Sequence, residues 1–318
     1  MAIEFETSHW ALILGGSSGF GLATAQKVAR HGMSVAVVHR DRKGAMPAIE
    51  NEFEKIRQTG VGFVAYNTDA LAEEGRKLVL EDLGRKLGQA GRIRLLLHSI
   101  AYGNLKLIAP PAPDYGAPSR RARKDLAARI SVPADALGAA INDLLRESPA
   151  GAPLSQLAAP PDYDRDSLLE DEDFARTVHS MGTSIATWAR DLFAHRMFAE
   201  SARVIGMTSE GNEVAWRGYA AVSAAKAALE AVSRSMALEL GPYGIRSNVV
   251  QAGVTDTPAL RLIPGSERLK ASALLRNPLG RLTAPADVAN FICLLCTDEA
   301  AWVNGALLRV DGGEHACG

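Results

Sequence analysis

Tyr219 and Lys226 stand seven residues apart in SEGNEVAWRGYAAVSAAK (209–226), at the start of what reads as a long helix over 219–240. Seven residues on an α-helix fall about 20° short of two full turns, so both side chains share one face, about 10 Å apart along the axis. A phenol and an ammonium on one face make a proton donor beside a fixed positive charge. That charge favours the phenolate and lowers the tyrosine pKa. An isolated pair of this kind is also what an ordinary Ala-rich helix surface carries. A second motif, at the other end of the chain, lifts it above that background.

The second motif lies in WALILGGSSGFGLATAQKVARHG (10–32). Trp10 to Leu14 read as a buried strand, a Gly-rich turn follows, and an amphipathic helix ends at Gly32. Strand, glycine turn and helix in that order are the context that a dinucleotide fingerprint requires. The glycines at 15, 16, 19 and 21 give G-x3-G-x-G. Gly15 permits the tight turn. Gly19 and Gly21 let phosphates and the sheet approach a helix N-terminus, whose free N–H groups and dipole favour an anion. A purely structural turn is the alternative.

The elements that must hold these motifs follow in order. SVAVVH (34–39) is a second buried strand, with His39 and Arg40 at the place where a ribose-binding carboxylate belongs in an NAD site. An arginine there suits a 2′-phosphate, which favours NADPH; Asp41 keeps NADH open. Helix 44–58, strand 62–66, helix 72–88 and strand 92–99 come next. Asp69 closes the third strand, as a partner for the adenine amino group or as a turn cap. Four near-continuous apolar strands alternating with helices mean a parallel, doubly wound α/β sheet.

The rhythm then breaks. Residues 103–173 are rich in Pro, Ala and Gly, with one helix expected over 134–147. A connection this long is usually a functional lid or a disordered segment. It leaves from the sheet edge where open α/β sheets bind ligands, so it is expected to cap the substrate. Its basic cluster Arg120, Arg121, Arg123 and Lys124 is either a solvated face or an attractor for an acidic carrier or phosphorylated substrate. Helix 173–199, strand 201–209, helix 219–240, strand 245–250, helix 284–297 and strand 306–310 complete the pattern. The segment shows no core of its own, so a single domain is expected.

Composition sets the bounds. The chain has 318 residues, 47% of them hydrophobic, and a net charge of −1. That suffices for one large α/β core and leaves no basic stripe for nucleic acid. No apolar run approaches the roughly 20 residues that span a bilayer. The acidic N-terminus lacks the basic and apolar regions of a signal peptide. Three cysteines argue against a disulfide framework. Cys293 and Cys296 read as a buried helix face without a second ligand pair, so no metal site is expected, and Cys317 reads as an exposed thiol. A reduced, cytoplasmic setting follows as the expectation.

Together GGSSGFG (15–21), Ser209, Lys226, NVVQAGVTDTP (248–258), NPLGRLTAPADVA (277–289) and VDGG (310–313) resemble the short-chain dehydrogenase/reductase family. The resemblance implies a Rossmann-type fold and a bound NADPH or NADH. It implies that Gly15, Ser17, Ser18, Gly19, Phe20, Gly21, Arg40, Asp69, Ser99, Ile100, Ala101, Lys226, Gly253, Val254, Thr255 and Thr257 contact the cofactor. Thr257 would lie by the nicotinamide or pyrophosphate. The family's usual catalytic set is Tyr-x3-Lys with a serine thirteen residues before the tyrosine. Ser209 and Lys226 match it, but Val222 stands in the tyrosine's place and cannot donate a proton. Tyr219, one turn earlier, gives Tyr-x6-Lys, the spacing of the enoyl-acyl carrier protein reductases. LHSIA (97–101) and YAAVSAAKAALEA (219–231) also resemble that group. The glycine motif is of the general family type, the group's second tyrosine is replaced by Ser209, and the 103–173 segment is foreign to both.

The shifted tyrosine has a physical rationale. In carbonyl reduction the proton donor stands beside the carbon that takes the hydride. In enoyl reduction hydride goes to the β-carbon, and charge appears on the thioester oxygen, three bonds away. Moving the donor one helical turn, about 5 Å, supplies a displacement of that order. The resemblance thus implies Tyr219 stabilising an enolate, Lys226 holding the nicotinamide ribose, and a substrate carried on acyl carrier protein or coenzyme A. A carbonyl or alcohol oxidoreductase and a dinucleotide-binding sensor are the alternatives. Trp216 and Tyr102 read as loop or core packing, with a place in a substrate wall as the alternative. The small-residue helix 219–240 implies a homotetramer or homodimer, as the equivalent helix commonly pairs in this family.

Overall fold

The computed structural model describes residues 3–317. Seven parallel strands form one sheet in the order β3-β2-β1-β4-β5-β6-β7. They are β1 (His9–Leu14), β2 (Ser34–His39), β3 (Phe63–Asn67), β4 (Arg92–His98), β5 (Phe198–Ser209), β6 (Arg246–Ala252) and β7 (Leu307–Val310). Strand order reverses between β1 and β4, which opens a crevice at the C-terminal edge of the sheet.

Strand residues alternate between two cores, because successive side chains point to opposite faces. Leu12 and Leu14 join one core with Trp188 and Leu229. Ala11 and Ile13 join the other with Phe53 and Ile292. The first face is covered by α3 (Glu73–Leu87), α7 (Ser184–Ala194) and α8 (Ala220–Leu240). The second is covered by α1 (Gly19–Arg30), α2 (Met46–Arg57) and α11 (Pro285–Leu295). Cys293 and Cys296 lie fully buried in that second core, as the sequence indicated. Cys317 is half-buried rather than exposed. Among the described residues no helix is long and apolar enough to cross a membrane.

The structure departs from the sequence reading in three places. Residues 103–173 contain two helices, α4 (Ala117–Arg129) and α5 (Ala134–Glu147), where one was expected. Pro118 in the first turn and the left-handed Gly116 before it start α4, and its abundant Ala, Arg and Lys sustain it. The expected helix 173–199 is instead α6 (Asp171–Val178), a π-turn (His179–Thr183) and α7, and β5 begins at Phe198. The Asp173 carboxylate, which accepts from the Glu170 N–H at 3.0 Å, sets the start of α6. After β6 come two further helices, α9 (Pro258–Arg261) and α10 (Ser266–Arg276), which the sequence reading left as a loop.

The 103–173 segment leans on α10. The Arg268 guanidinium donates to the Ala158 carbonyl at 2.8 Å. At its root, Lys106 and Asn104 both donate to Asp173, each at 2.8 Å. These contacts tie the start and the end of the segment together beside the crevice.

Candidate functional site

β5 ends at Ser209 and α8 begins at Ala220, with Tyr219 as the residue that caps α8. Tyr219, Lys226 and Ser209 all line one cavity at the C-terminal edge of the sheet. Its remaining wall is mainly apolar, from Leu105, Met181, Met207, Leu260, Ile263 and Leu269. Val222 lines it too, 3% exposed, so the side chain in the family's tyrosine position offers only methyl groups. Among the described residues Tyr219 is the one phenol in this wall.

The electrostatics correct one expectation. The Tyr219 pKa is raised, not lowered, because burial outweighs the opposing pull of the neighbouring Ser209 hydroxyl. Lys226 does not act on it. Its ammonium turns into the core and donates to the Met207 carbonyl at 2.8 Å. Burial lowers the Lys226 pKa to about 8, against the charge of Glu230, one turn along the same helix. The phenol is therefore a neutral hydrogen-bond donor at physiological pH. Ser209 Oγ is buried beside the Tyr219 phenol and has no hydrogen-bond partner of full geometry among the described residues, so a ligand oxygen can reach both hydroxyls.

Several supporting residues escaped the sequence reading. Gly211 has no room for a side chain: a Cβ there would come within 2.4 Å of the Tyr219 ring. Gly182, in the π-turn, approaches α8 so closely that a Cβ would lie 2.7 Å from the Ala225 carbonyl. His98, at the end of β4, is fully buried against Ser184 at 2.8 Å, and burial pushes its pKa down to about 3, so it stays neutral. Glu210, next to Ser209, pairs with Arg276 of α10 at 2.8 Å, and Arg276 reaches Glu314 at 3.3 Å. Glu314 in turn accepts from the Val254 N–H at 3.1 Å. Only the Lys226–Glu230 pair had a sequence signal, its i,i+4 spacing. The others depend on long-range contacts.

A second cavity continues from the first across Phe20, Ser99, Ile100, Ala101 and Thr257. It is lined also by Gly15, Ser17, Ser18, Gly19, Arg40 and Asp69. Gly253, Val254 and Thr255 line the first cavity only. Gly21 lines neither; it is buried, and a Cβ would sit 2.1 Å from the Gly15 carbonyl, so it lets α1 start beneath the turn. Ser18 caps α1 with extended backbone and no side-chain bond to it, which leaves the first-turn N–H groups without a side-chain partner beside the cavity. Gly19 has φ +54° and only the Thr257 side chain within 4 Å of a notional Cβ. This cradle fits a pyrophosphate at a helix N-terminus.

At the far end of that cavity Arg40 pairs with Asp69 at 2.6 Å and lies over the Tyr102 ring. The other Asp69 oxygen accepts from the Leu71 N–H at 2.9 Å, so Asp69 is a turn cap in this structure. Asp41 is held by the buried His39 at 2.8 Å. Tyr102 thus belongs to the Arg40 end, and Trp216 lines the same cavity as Tyr219.

Residues 9–107 match the family model described as short chain dehydrogenase, and residues 159–315 the one described as enoyl-(acyl carrier protein) reductase. The chain belongs to the short-chain dehydrogenase/reductase family. Cis-4-hydroxycyclohexanecarboxylate dehydrogenase of Sinomonas cyclohexanicum is 36% identical over 134 residues, 42% of this chain and 53% of that protein. The chain spans only about half the length of such first curated relatives. A (2S)-[(R)-hydroxy(phenyl)methyl]succinyl-CoA dehydrogenase subunit of Thauera aromatica is 26% identical across 95% of both chains. The enoyl-[acyl-carrier-protein] reductase (NADH) structure from Aquifex aeolicus superposes with a TM-score of 0.69 at 21% identity, over 100% of this short-chain dehydrogenase/reductase and 99% of that chain. That likeness concerns the fold.

Proposed function

We propose that this protein is an NADPH-dependent reductase of the carbon–carbon double bond of an enoyl thioester, with NADH as a possible second cofactor. The observation that carries the reading is the catalytic wall: among the described residues Tyr219 is its one phenol, and Val222 occupies the family's usual tyrosine position. The match of residues 159–315 to the enoyl reductase family model supports it. Gly15, Ser17, Ser18 and Gly19 would hold the pyrophosphate, Arg40 and Asp69 the adenosine end, and Ser99 to Ala101 with Gly253 to Thr257 the nicotinamide end. When bound, the reduced nicotinamide supplies a hydride. The Tyr219 O–H, neutral at physiological pH, donates to the thioester oxygen as negative charge gathers there. Lys226 supplies positive charge beneath the site, and the apolar wall excludes water.

Arg40 supports NADPH because a guanidinium over half exposed can pair with a 2′-phosphate once it leaves Asp69. Residues 103–173 are the proposed cap of the substrate, within one domain. The proposed assembly is a homotetramer or homodimer through α8, whose Leu238 is 78% exposed. A monomer by light scattering would overturn that assembly.

A second reading, a carbonyl or alcohol oxidoreductase, is favoured by the Ser209 hydroxyl and by two relatives named as dehydrogenases. Nicotinamide absorbance separates the two. NADPH and NADH are each offered with a crotonyl and with an acetoacetyl thioester. The expected result is oxidation of NADPH with the crotonyl substrate alone. Oxidation with the acetoacetyl substrate alone would sink the enoyl reading.

A further inference from the structure

Beside the catalytic cavity lies another of about 310 Å³, built between the 103–173 segment, α10 and the loop before α8. Trp216, Ile263 and Leu269 line both, so the two share a wall. Their chemistry differs. The polar wall of the outer cavity is built by Arg217, Arg268, Tyr115 and Tyr163 with the neutral Ser155, Gln156 and Ser272, and among the described residues no carboxylate lines it. The Arg217 guanidinium lies 4.7 Å over the Tyr115 ring, and among the described residues it forms no ion pair. Arg268 uses one nitrogen on the Ala158 carbonyl, while its Nε is buried and has no hydrogen-bond partner among the described residues. Burial lowers the Arg268 pKa, Tyr115 and Tyr163 oppose that shift, and Arg123, of the same sign, adds to it. Tyr163 is pushed up to about 12 by burial and by Tyr115, so it stands as a donor at any physiological pH.

Two guanidiniums, a buried N–H without a partner and phenolic donors around a roomy polar cavity have one complement, an oxyanion. Arginine forks match carboxylate and phosphate oxygens in pairs. We propose that this outer cavity binds an oxyanionic group, carboxylate or phosphate, carried by the substrate at a distance from its reacting carbons. The proposal rests on the inner cavity being the substrate site, as argued above. It gives the 103–173 segment a specificity role, because that segment supplies both tyrosines. The anion has two sources in one substrate: a carboxylate on the acyl chain, or a phosphate on the thiol side of a carrier.

Three thioesters separate these sources: crotonyl-N-acetylcysteamine, which is uncharged; crotonyl-coenzyme A, with phosphates on the thiol side; and glutaconyl-N-acetylcysteamine, with a carboxylate on the acyl side. In Arg217→Gln and Arg268→Gln, KM for one of the two anionic substrates is expected to rise about tenfold. KM for the uncharged substrate and kcat for all three stay close to wild type, and Arg268→Lys recovers part of the loss. An equal change for all three substrates, or none, overturns the proposal. Should the wild-type protein reduce none of them, the enoyl reading fails but the cavity is still testable. Inorganic phosphate and glutarate are then titrated against the Trp216 fluorescence, with Trp216→Phe as the blank. A saturable change lost in Arg217→Gln upholds the oxyanion site, and its absence in the wild-type protein removes it.

Discussion

Tyr219→Phe is expected to lower kcat by about 10²–10³-fold, the usual effect of removing one donor from an oxyanion site. NADPH affinity, read by quenching of protein fluorescence, stays within about twofold in the sense that a distant substitution leaves binding energies nearly additive. The split follows from position. Tyr219 caps α8 and lines the inner cavity but not the dinucleotide cradle around Gly15, Ser17 and Arg40. Phenylalanine keeps the ring that packs on Gly211 and removes only the hydroxyl. Gly211→Ala should reproduce part of this loss by a different route: its methyl group would overlap the ring and push the hydroxyl off line while the donor itself survives. Because burial raises the Tyr219 pKa above its ordinary value of 10.0, the donor keeps its proton throughout the working range. Any loss of wild-type activity between pH 7 and 9 then has to come from another group. Unchanged turnover in Tyr219→Phe would remove the phenol from the mechanism.

The parts of this molecule that local pattern decides were readable from the sequence. Apolar runs such as SVAVVH must be buried on both faces, and glycines at 15 and 21 must sit where a Cβ would strike backbone, 2.6 Å from the Ser99 carbonyl and 2.1 Å from the Gly15 carbonyl. Those constraints specify strand, turn and helix within twenty residues. The helix α4 was missed because Pro and Gly at its start outweighed a good helical run, APSRRARKDLAAR. The start of α8 was legible, but the charge state of Tyr219 was not. Spacing put Lys226 on its face; burial and a backbone carbonyl 2.8 Å away then claimed the ammonium. The same holds at Arg40 and Asp69. Each was assigned a ligand role separately, yet twenty-nine positions apart in sequence they meet at 2.6 Å. Partners of this kind are set by the topology of β2 and β3, which no window of sequence contains.

Lys226 carries the other large effect, and it has opposite signs on stability and on activity. Its pKa is lowered from 10.5 to about 8 by burial, with Glu230 opposing. The folded protein therefore binds fewer protons than the unfolded chain between about pH 8 and 10.5, and stability rises with pH across that window. Below it both states carry the charge, and the folded state bears the full penalty, about 3 kcal/mol for a shift of this size. Lys226→Met removes the charge but keeps the length and the apolar stem. It also leaves the Met207 carbonyl without its donor, which takes back about 1 kcal/mol. In the protein without cofactor the variant should melt about 4 °C above wild type at pH 7, and the difference should close as pH approaches 10. Calorimetry at the two pH values reads it. Turnover by the same variant should fall by at least about 10²-fold, since the positive charge that the proposed mechanism places beneath the site is gone. A variant less stable than wild type at pH 7 would mean that the ammonium is already compensated by Met207 and Glu230. The residue would then be a structural tie, and its loss of activity could not be assigned to charge. Higher stability with lost turnover is the mark of a charge held in the core against its own solvation for the sake of the reaction.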